Sequence, residues 1–467
     1  MSWRAISEAA VIALAAALVL ATPFPAPPAA AVGPPRIDDR AVPVDTRPRP
    51  PEETEQRSEC ARPVATAAPT AEPPVPQVLL NTAAAWRFSR GAGQRVAVVD
   101  TGVNRHPRLT VEAGGDFVHT SDGTHDCDGH GTLVAGVIAG HPSLADGFAG
   151  VAPDASILAI RQVSLAYAPK NRHDRTPGAI ADTGYGDVRT LAAAVVHAVQ
   201  MGATVVNISE VACAAVGEPL GDEALGAAVR FAYERNVVVV AAAGNVTPDG
   251  PCRTQNAGDW AGVSTLASPA WFAPYVLTVA ATDEHGAPAD FSLHGPWVGV
   301  AAPGVGVVSL DSAPGSAGLV DAVPSAAGLG PLTGTSFAAG YVSGVVALVR
   351  SRYPSWTAGE VIDRIQRTAH APGSGRDDRV GYGVVDPVAA LTAQLPPADA
   401  VAAAVVSRPI AAPRSPAPAD PRPRRIAVAG TVAALVVLGL GAALSIPYRR
   451  VRGRAPEDDV IDEFRRS

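Results

Sequence analysis

The sequence predicts an α/β fold in which helices cover both faces of a mainly parallel β-sheet. Short apolar runs rich in β-branched residues alternate with longer helical runs, and this alternation is typical of strand–helix–strand units. The strand-like runs are residues 96–99, 157–160, 205–208, 237–242 and 276–280, and the helix-like runs are residues 190–201, 225–235, 337–352 and 358–368. Thr357 and Glu360 predict a capping box at the start of the last helix. A separate apolar run near the C-terminus predicts one additional, transmembrane helix.

Residues 1–31 have the pattern of a secretory signal peptide. Arg4 precedes the apolar run 9–21, and alanines at 29–31 provide a small-residue cleavage site. An uncleaved membrane anchor is the alternative, but the apolar run is short for a bilayer span. We therefore expect the rest of the chain to be exported.

Residues 32–79 form an extension rich in proline, alanine and glutamate. The extension has little apolar periodicity, so it could not bury a core of its own. It is either disordered or laid in an extended form over the α/β domain, residues 80–395. Cys60 favours the second alternative, because a disulfide would tie the extension to that domain.

Three segments follow the α/β domain: an Ala/Pro-rich linker at 396–425, an uncharged apolar run at 426–446 and a tail at 447–467. As a helix, the apolar run would reach about 31 Å, which is enough to cross the core of a bilayer. A helix buried in a soluble core is the alternative, and the arginines that flank the run argue against it. With a signal peptide at the other end, we expect the α/β domain to lie outside the cytoplasm and the tail inside it.

The overall composition argues against nucleic-acid binding. Charged residues are 17% of the chain and the formal net charge is −7, which gives no basic surface for phosphates. No histidine spacing matches a metal-ligand pattern, so we expect neither a metal nor a cofactor. The histidines considered are His106, His119, His125 and His141, for which we expect surface or packing roles.

Three segments place an Asp, a His and a Ser, in this order, beside glycines; they are residues 96–102, 129–136 and 334–340. A serine hydroxyl needs an imidazole to accept its proton, and the imidazole needs a carboxylate that fixes its tautomer. Asp100 ends a predicted buried strand, His130 lies between two glycines, and Ser336 begins a helical run. A helix N-terminus favours developing negative charge. The sequence therefore predicts an acyl-transfer site formed by Asp100, His130 and Ser336.

A fourth segment, residues 237–245, is a predicted buried strand that ends in Gly244 and Asn245. A side-chain amide at such a place can donate a hydrogen bond to the oxyanion of a tetrahedral intermediate. We therefore predict that Asn245 and the backbone N–H of Ser336 form an oxyanion hole.

Together these segments resemble the subtilisin-like (S8) serine proteases over roughly residues 80–395. The resemblance implies a subtilisin-like peptidase domain that acts on proteins or peptides, with Asp100, His130 and Ser336 as its catalytic residues.

The departures from this family lie outside the three predicted catalytic residues. Gly340 stands where a proline is usual, Tyr341 where many relatives have a histidine, and Leu133 where a second histidine is common. The segment 205–210 lacks the glycines that usually follow its serine. Inherited substrate preferences are therefore in doubt, and Glu210 in this segment either shapes a subsite or is simply exposed.

A narrower resemblance is to the mycosins, membrane-anchored subtilases associated with actinobacterial type VII secretion. It rests on residues 207–213, 334–344 and 381–387, and on the order of signal peptide, extension, protease, linker and C-terminal span. The resemblance implies a partner in the membrane complex of a type VII secretion system. It also implies that the extension wraps the protease and is not a removable inhibitor.

The chain has four cysteines, which fits an exported protein; they are Cys60, Cys127, Cys213 and Cys252. Four cysteines allow three pairings, and sequence alone cannot choose among them. We favour Cys60–Cys127, which would tie the extension to the loop before His130, and Cys213–Cys252, which would brace two loops beside the site. Free thiols and a metal site are the alternatives, and no Cys-x-x-Cys spacing supports a metal.

A group of three aspartates and two long connections are candidates for further roles. Asp122, Asp126 and Asp128 could bind calcium, although a solvated acidic loop is the preferred interpretation, and Asp128 could border the cleft and favour basic substrate groups. Residues 165–187 and 309–332 are long for simple connections. They are either rims of the substrate cleft or insertions without a role.

The leading functional hypothesis is a membrane-tethered, extracytoplasmic serine endopeptidase that cleaves secreted proteins. The second hypothesis is a structural component of a secretion membrane complex, for which proteolysis is secondary. A general secreted protease that digests nutrient protein is a third alternative, and the predicted membrane anchor argues against it.

Overall fold

The computed structural model describes residues 32–171, 178–180, 184–248, 250, 252–325, 328–396 and 422–451, with side chains in the last range only at 426–441. The predicted signal peptide, nearly all of the linker and the tail beyond residue 451 lie outside the described residues. The chain divides into two compact units, Met1–Gln394 and Leu395–Ser467.

The strands are β1 (Thr54–Gln56), β2 (Arg95–Asp100), β3 (Val111–Asp116), β4 (Ser156–Arg161), β5 (Tyr167–Pro169), β6 (Val205–Ile208), β7 (Ala212–Ala215), β8 (Val238–Ala242), β9 (Thr265–Ser268), β10 (Val276–Thr282), β11 (Val298–Pro303), β12 (Ser309–Leu310), β13 (Leu319–Val320), β14 (Ala322–Ser325) and β15 (Gly328–Pro331). The helices are α1 (Val75–Leu79), α2 (Thr82–Ala85), α3 (His130–Ala139), α4 (Val188–Gln200), α5 (Glu223–Glu234), α6 (Thr335–Arg352), α7 (Ala358–Thr368), α8 (Pro387–Thr392) and α9 (Arg422–Val451).

A seven-stranded parallel sheet forms the centre of the first unit. Its strand order is β11-β10-β8-β6-β2-β4-β3, and every neighbouring pair is parallel. Every residue of β6, β8, β10 and β11 is buried. Because successive side chains of a strand point to opposite faces, this burial requires cover on both faces of the sheet. The predicted α/β fold with a mainly parallel sheet is confirmed.

Two helix pairs contribute to this cover: α3 packs against α6, and α4 packs against α5. Helix α6 also contacts β6, β8, β10 and β11, and all of its residues from Thr335 to Arg350 are buried. Its many small residues let the helix pack closely on the sheet. This packing fixes the position of the helix N-terminus, where Ser336 lies.

Strand β2 lies between β4 and β6, with Val99 opposite both Ile160 and Ile208. This register places Asp100, the last residue of β2, at the carboxyl edge of the sheet, where sites form in α/β proteins. Strands β3 and β11, which the sequence did not predict, contain glycine and alanine, and β11 ends in proline. Such residues have low strand propensity, so burial in the sheet overrides the local preference.

The described part of the extension lies against the α/β domain. β1 pairs antiparallel with β5, and Val64 forms a bridge with Ala322. Further along, Thr66 donates to Asp321 through both its backbone N–H and its hydroxyl, each at 2.6 Å. Of the two alternatives for the extension, the structure therefore shows the one in which it covers the domain in extended form.

Both long connections contain strands. Residues 309–332 hold two antiparallel pairs, β12–β13 and β14–β15, and residues 165–187 contain β5, although 172–177 and 181–183 lie outside the described residues. The strands at 309–332 are short and rich in alanine and glycine, so the sequence pattern did not predict them.

The second unit contains helix α9, which includes the predicted span at 426–446. No helix in the part of the chain that the structure describes is both long and apolar enough to cross a membrane. The prediction of a transmembrane helix at 426–446 is not confirmed.

Candidate active site

Asp100 lies at the carboxyl end of β2 and is fully buried, with 0% of its surface exposed. The backbone N–H of Thr101 donates to Asp100 Oδ1 at 2.7 Å, and His130 Nδ1 lies 2.7 Å from the same oxygen. A carboxylate can only accept hydrogen bonds, so Nδ1 of His130 carries the proton and Nε2 is left to accept one. Asp100 thus selects the tautomer that a general base needs.

Ser336 completes the row on the other side of the imidazole. Its Oγ lies 3.0 Å from His130 Nε2, and the residue is 5% exposed. His130 is the first residue of α3, and Ser336 is the second residue of α6. The structure therefore brings all three predicted catalytic residues, which come from three separate elements, into one hydrogen-bonded row.

Asp100 and His130 each favour the charged form of the other, against the effect of burial. Burial disfavours the charged carboxylate, but the charge and hydrogen bond of His130 outweigh it and lower the pKa of Asp100. Burial also disfavours the imidazolium, yet Asp100, Glu210 and Asp126 outweigh it and raise the pKa of His130. The surroundings thus stabilise the imidazolium that forms when His130 accepts a proton.

The glycines on both sides of His130, Gly129 and Gly131, occupy positions that a residue with a side chain could not easily take. Gly129 caps α3 with φ of 78°, in the left-handed region that favours glycine. A Cβ on Gly131 would overlap the carbonyl oxygen of Gly102 and come within 3.1 Å of Asp100 Oδ1. The glycines therefore allow α3 to begin in direct contact with the end of β2.

Asp126 ties the start of α3 to the end of β2, and sequence reasoning missed this role. Its Oδ1 accepts from the Thr101 hydroxyl at 2.8 Å and from the Gly129 N–H at 2.7 Å. Its Oδ2 accepts from the N–H and hydroxyl of Thr132 at 2.8 and 2.6 Å. Burial raises the pKa of Asp126 to about 6. The sequence carries no direct signal for this role, because the N-cap of α3 is Gly129 and Asp126 lies three residues before it.

Asn245 follows β8, and its amide points toward Ser336. The backbone N–H and the hydroxyl of Thr335 both lie 3.0 Å from Asn245 Oδ1 and donate to it. Because a backbone N–H can only donate, this contact fixes which amide atom is the oxygen. A Cβ built on Gly334 would be 3.6 Å from Asn245 Nδ2 and 2.9 Å from Ser336 Oγ. Asn245 Nδ2 and Ser336 Oγ therefore both lie beside Gly334, at the start of α6.

Glu210 and Asp128 both border a cleft beside His130. Glu210 Oε1 lies 3.8 Å from His130 Nδ1, and its side chain is 28% exposed. Burial, with a smaller contribution from the Asp100 and Asp128 carboxylates, raises the pKa of Glu210 to about 7 against the opposing charge of His130. Of the two interpretations of Glu210, the structure supports a place in the cleft.

The acidic trio of Asp122, Asp126 and Asp128 does not form one cluster among the described residues. Asp126 is buried, Asp122 is exposed and accepts from Thr124, and Asp128 accepts from the backbone N–H groups of Leu165 and Ala166. The expected solvated acidic loop was therefore wrong for Asp126, because local hydrogen bonds satisfy its carboxylate in the interior. Two other groups bring Cys, His, Asp or Glu side-chain atoms together within the described ranges: Asp100 and His130 with Glu210, and His125 with Cys60 and Cys127, whose sulfurs are bonded to each other.

Two disulfides connect loops around the site: Cys60–Cys127 and Cys213–Cys252. This is the pairing preferred from the sequence among the three that were open. Cys127 lies three residues before His130, so the first disulfide ties the extension to the segment that leads into α3. The second joins the loop after β8 to β7.

A carboxylate, an imidazole and a hydroxyl in a row at the carboxyl edge of a parallel sheet define a serine peptidase of the subtilisin-like class. The sequence pattern described as "Subtilase family" matches residues 91–383. Mycosin-3 of Mycobacterium tuberculosis is 45% identical over 464 residues, which cover 95% of this chain and 98% of the relative.

Solved structures that are similar in fold and sequence also include mycosins. The crystal structure of MycP1 from Mycobacterium smegmatis has a TM-score of 0.73 and 44% identity, covering 78% of this chain and 96% of that one. A chain of an intact ESX-5 inner membrane complex has a TM-score of 0.74 and 39% identity, covering 89% of this chain and 100% of that one. The chain belongs to the subtilase family and, within it, to the mycosins.

Proposed function

We propose that the chain is an extracytoplasmic serine endopeptidase in which Asp100, His130 and Ser336 are the catalytic residues. The observation that carries the proposal is the continuous row of hydrogen bonds, 2.7 Å from Asp100 to His130 and 3.0 Å from His130 to Ser336. These lengths are within reach for proton transfer between the serine and the imidazole.

In the first half of the reaction, Ser336 Oγ attacks the scissile carbonyl carbon while its proton moves to His130 Nε2. Asp100 stabilises the resulting imidazolium through Nδ1–H. When the tetrahedral intermediate collapses, His130 gives the proton to the leaving amine, and an acyl-serine remains. Water then attacks the acyl carbon, with His130 again accepting a proton and returning it to Ser336 Oγ.

The oxyanion forms between Asn245 and the N-terminus of α6. Asn245 Nδ2 carries the amide hydrogens that donate to it, and the bonds from Thr335 to Oδ1 hold the amide in this orientation. The backbone N–H of Ser336 lies in the first turn of an 18-residue helix, where the dipole favours negative charge. Both donors are held by packed elements, so they need little reorganisation during the reaction.

Hydrolysis of an unstructured protein by purified wild-type, Ser336→Ala and Ser351→Ala chains tests this proposal. Ser351 is the matched control, because it lies on the same helix but bonds to the Ala92 carbonyl, away from the site. We expect Ser336→Ala to lose cleavage and Ser351→Ala to keep it, while circular dichroism shows that both are folded. Equal cleavage by Ser336→Ala and the wild type would refute the assignment.

We further propose that the peptidase works with a type VII secretion membrane complex and cleaves proteins that pass through it. The support is the likeness to mycosins and to chains of the ESX-5 inner membrane complex and its periplasmic assembly. This likeness also favours a second candidate function, a structural role in such a complex.

Complementation separates the two functions. A strain that lacks the gene would receive the wild-type, Ser336→Ala or Ser351→Ala chain, and secretion and complex size would be measured. Full rescue of secretion by Ser336→Ala favours the structural role. Loss of secretion with an intact complex favours proteolysis.

We also propose that residues 426–446 anchor the peptidase in the membrane, with the protease domain outside the cytoplasm. The support for the anchor is the uncharged sequence of this segment with arginines on both sides of it, and the support for the orientation is the signal-peptide pattern at residues 1–31. Carbonate extraction of the full chain and of a chain ending at residue 421 tests the anchor. The full chain should remain in the membrane fraction, and the shortened chain should be released.

A further inference from the structure

A cleft with apolar walls and three carboxylates opens beside His130. We call it the acidic cleft, and its lining includes Glu59, Asp128, His130, Val163, Leu165 and Glu210. Val163 and Leu165 supply apolar surface, and Leu165 is 60% exposed. No lysine or arginine is among the described residues that line it.

The carboxylate of Asp128 is fixed in place at the acidic cleft. It accepts hydrogen bonds from the N–H groups of Leu165 and Ala166, at 2.8 and 3.1 Å, and from the Ser164 hydroxyl. These three donors hold the carboxylate in one position. Asp128 therefore offers a preorganised carboxylate that requires little side-chain ordering when a ligand binds.

Glu210 faces Asp128 and the imidazole from β6's side of the acidic cleft. Because burial raises the pKa of its carboxyl to about 7, a cation placed beside Glu210 would favour its charged form. The Glu210–His130 distance of 3.8 Å places this charge next to the reacting groups, within reach of a substrate side chain.

Glu59 brings the extension into the acidic cleft. It is exposed and precedes Cys60, whose disulfide with Cys127 fixes this part of the extension to the loop before His130. The Ala61 N–H also donates to the Cys127 carbonyl at 2.8 Å. The extension therefore forms a wall of the acidic cleft and leaves His130 open to it.

We propose that the acidic cleft is a substrate subsite for a lysine or arginine side chain of the polypeptide that is cleaved. The aliphatic part of such a side chain packs on Val163 and Leu165, and its cationic end meets the carboxylates of Glu59, Asp128 and Glu210. The inference rests on the proposed peptidase function and adds a substrate preference to it.

A positional peptide series tests this subsite with the full chain. In each peptide one position near the scissile bond carries lysine or norleucine, which has a similar aliphatic chain without the charge. The measured quantity is the ratio of kcat/KM for lysine to kcat/KM for norleucine at each position. Wild type would be compared with Glu210→Gln, Asp128→Asn and Glu59→Gln, and with Glu284→Gln as a control on an exposed carboxylate elsewhere.

We expect a lysine preference of about 10-fold at one position. Each cleft variant should reduce the ratio several-fold, and Glu284→Gln should leave it unchanged. No lysine preference in the wild type, or a preference that all three cleft variants retain, would overturn the inference. Fluorophosphonate labelling keeps the two proposals distinguishable: a labelled enzyme without lysine preference lacks only the subsite, whereas an unlabelled, inactive chain refutes the peptidase assignment itself.

Discussion

Thr335, the residue before the candidate nucleophile, holds the amide oxygen of Asn245 with two hydrogen bonds of 3.0 Å each. The Thr335 hydroxyl in turn accepts from the Gly244 N–H at 3.2 Å. The end of β8 and the start of α6 are thus joined at the site. Because Ser336 follows Thr335 directly, these bonds position Ser336 and Asn245 relative to each other.

Asn245→Ala should lower kcat by about 10²- to 10³-fold, the loss measured when one oxyanion donor is removed from a subtilisin. KM should change little, because the donor acts on charge that develops in the transition state. Steady-state kinetics on a peptide substrate check this. A loss confined to KM would show that Asn245 binds the ground state and is not an oxyanion donor.

Thr335→Val should lower kcat about 10-fold, because it removes one bond that orients Asn245 but keeps a similar shape. Thr335→Ser is the matched control, since it keeps the hydroxyl and should retain most activity. The positioning role also predicts that Thr335→Val has little further effect in an Asn245→Ala background. Additive losses in the double variant would contradict this coupling.

Asp126→Asn should reduce the free energy of unfolding by about 1–3 kcal/mol. All four hydrogen-bonding partners of this carboxylate donate to it. The N–H₂ group of an asparagine would therefore face an N–H or hydroxyl donor in the interior. Urea unfolding measures the loss, with the exposed Asp122→Asn as the control. Equal stability of the two variants would mean that the buried network contributes nothing to holding α3.

Glu210→Gln should move the acid limb of the kcat/KM–pH profile to lower pH. His130 must be neutral to accept the proton of Ser336, and the carboxylates of Asp100, Glu210 and Asp126 raise the pKa of His130 against the effect of burial. Removing one of them lowers that pKa, so the neutral form is populated at lower pH. The profile of Glu284→Gln should match the wild type. If the acid limb of Glu210→Gln stays at the wild-type pH or moves to higher pH, Glu210 does not raise the pKa of the imidazole.

The sequence predicts the central fold well where burial and local preference agree. The apolar runs at 96–99, 157–160 and 205–208 lie in the neighbouring strands β2, β4 and β6. The capping box of Thr357 and Glu360 is present, with the Glu360 N–H donating to the Thr357 hydroxyl at 3.2 Å. Strands such as β3 and β14 escape prediction because their residues prefer other conformations and only tertiary pairing holds them.

For the site, the sequence identifies the candidate catalytic side chains but few of the groups that position them. Asp100, His130 and Ser336 are recognisable because the chemistry restricts each to one residue type in a glycine-rich setting. Thr335 and Asp126 act through hydrogen bonds across the fold, and many residue types could serve there. The place of Glu59 in the acidic cleft depends on a disulfide whose pairing the sequence leaves open.

Mass-spectrometric mapping of a fluorophosphonate adduct tests the central claim most directly. The account predicts one adduct, on Ser336, that is absent from Ser336→Ala and forms far more slowly in folded His130→Ala, because Oγ then has no base. Labelling of Ser351→Ala should match the wild type. An adduct on another residue, or labelling whose rate is the same with and without His130, would contradict a catalytic row of Asp100, His130 and Ser336.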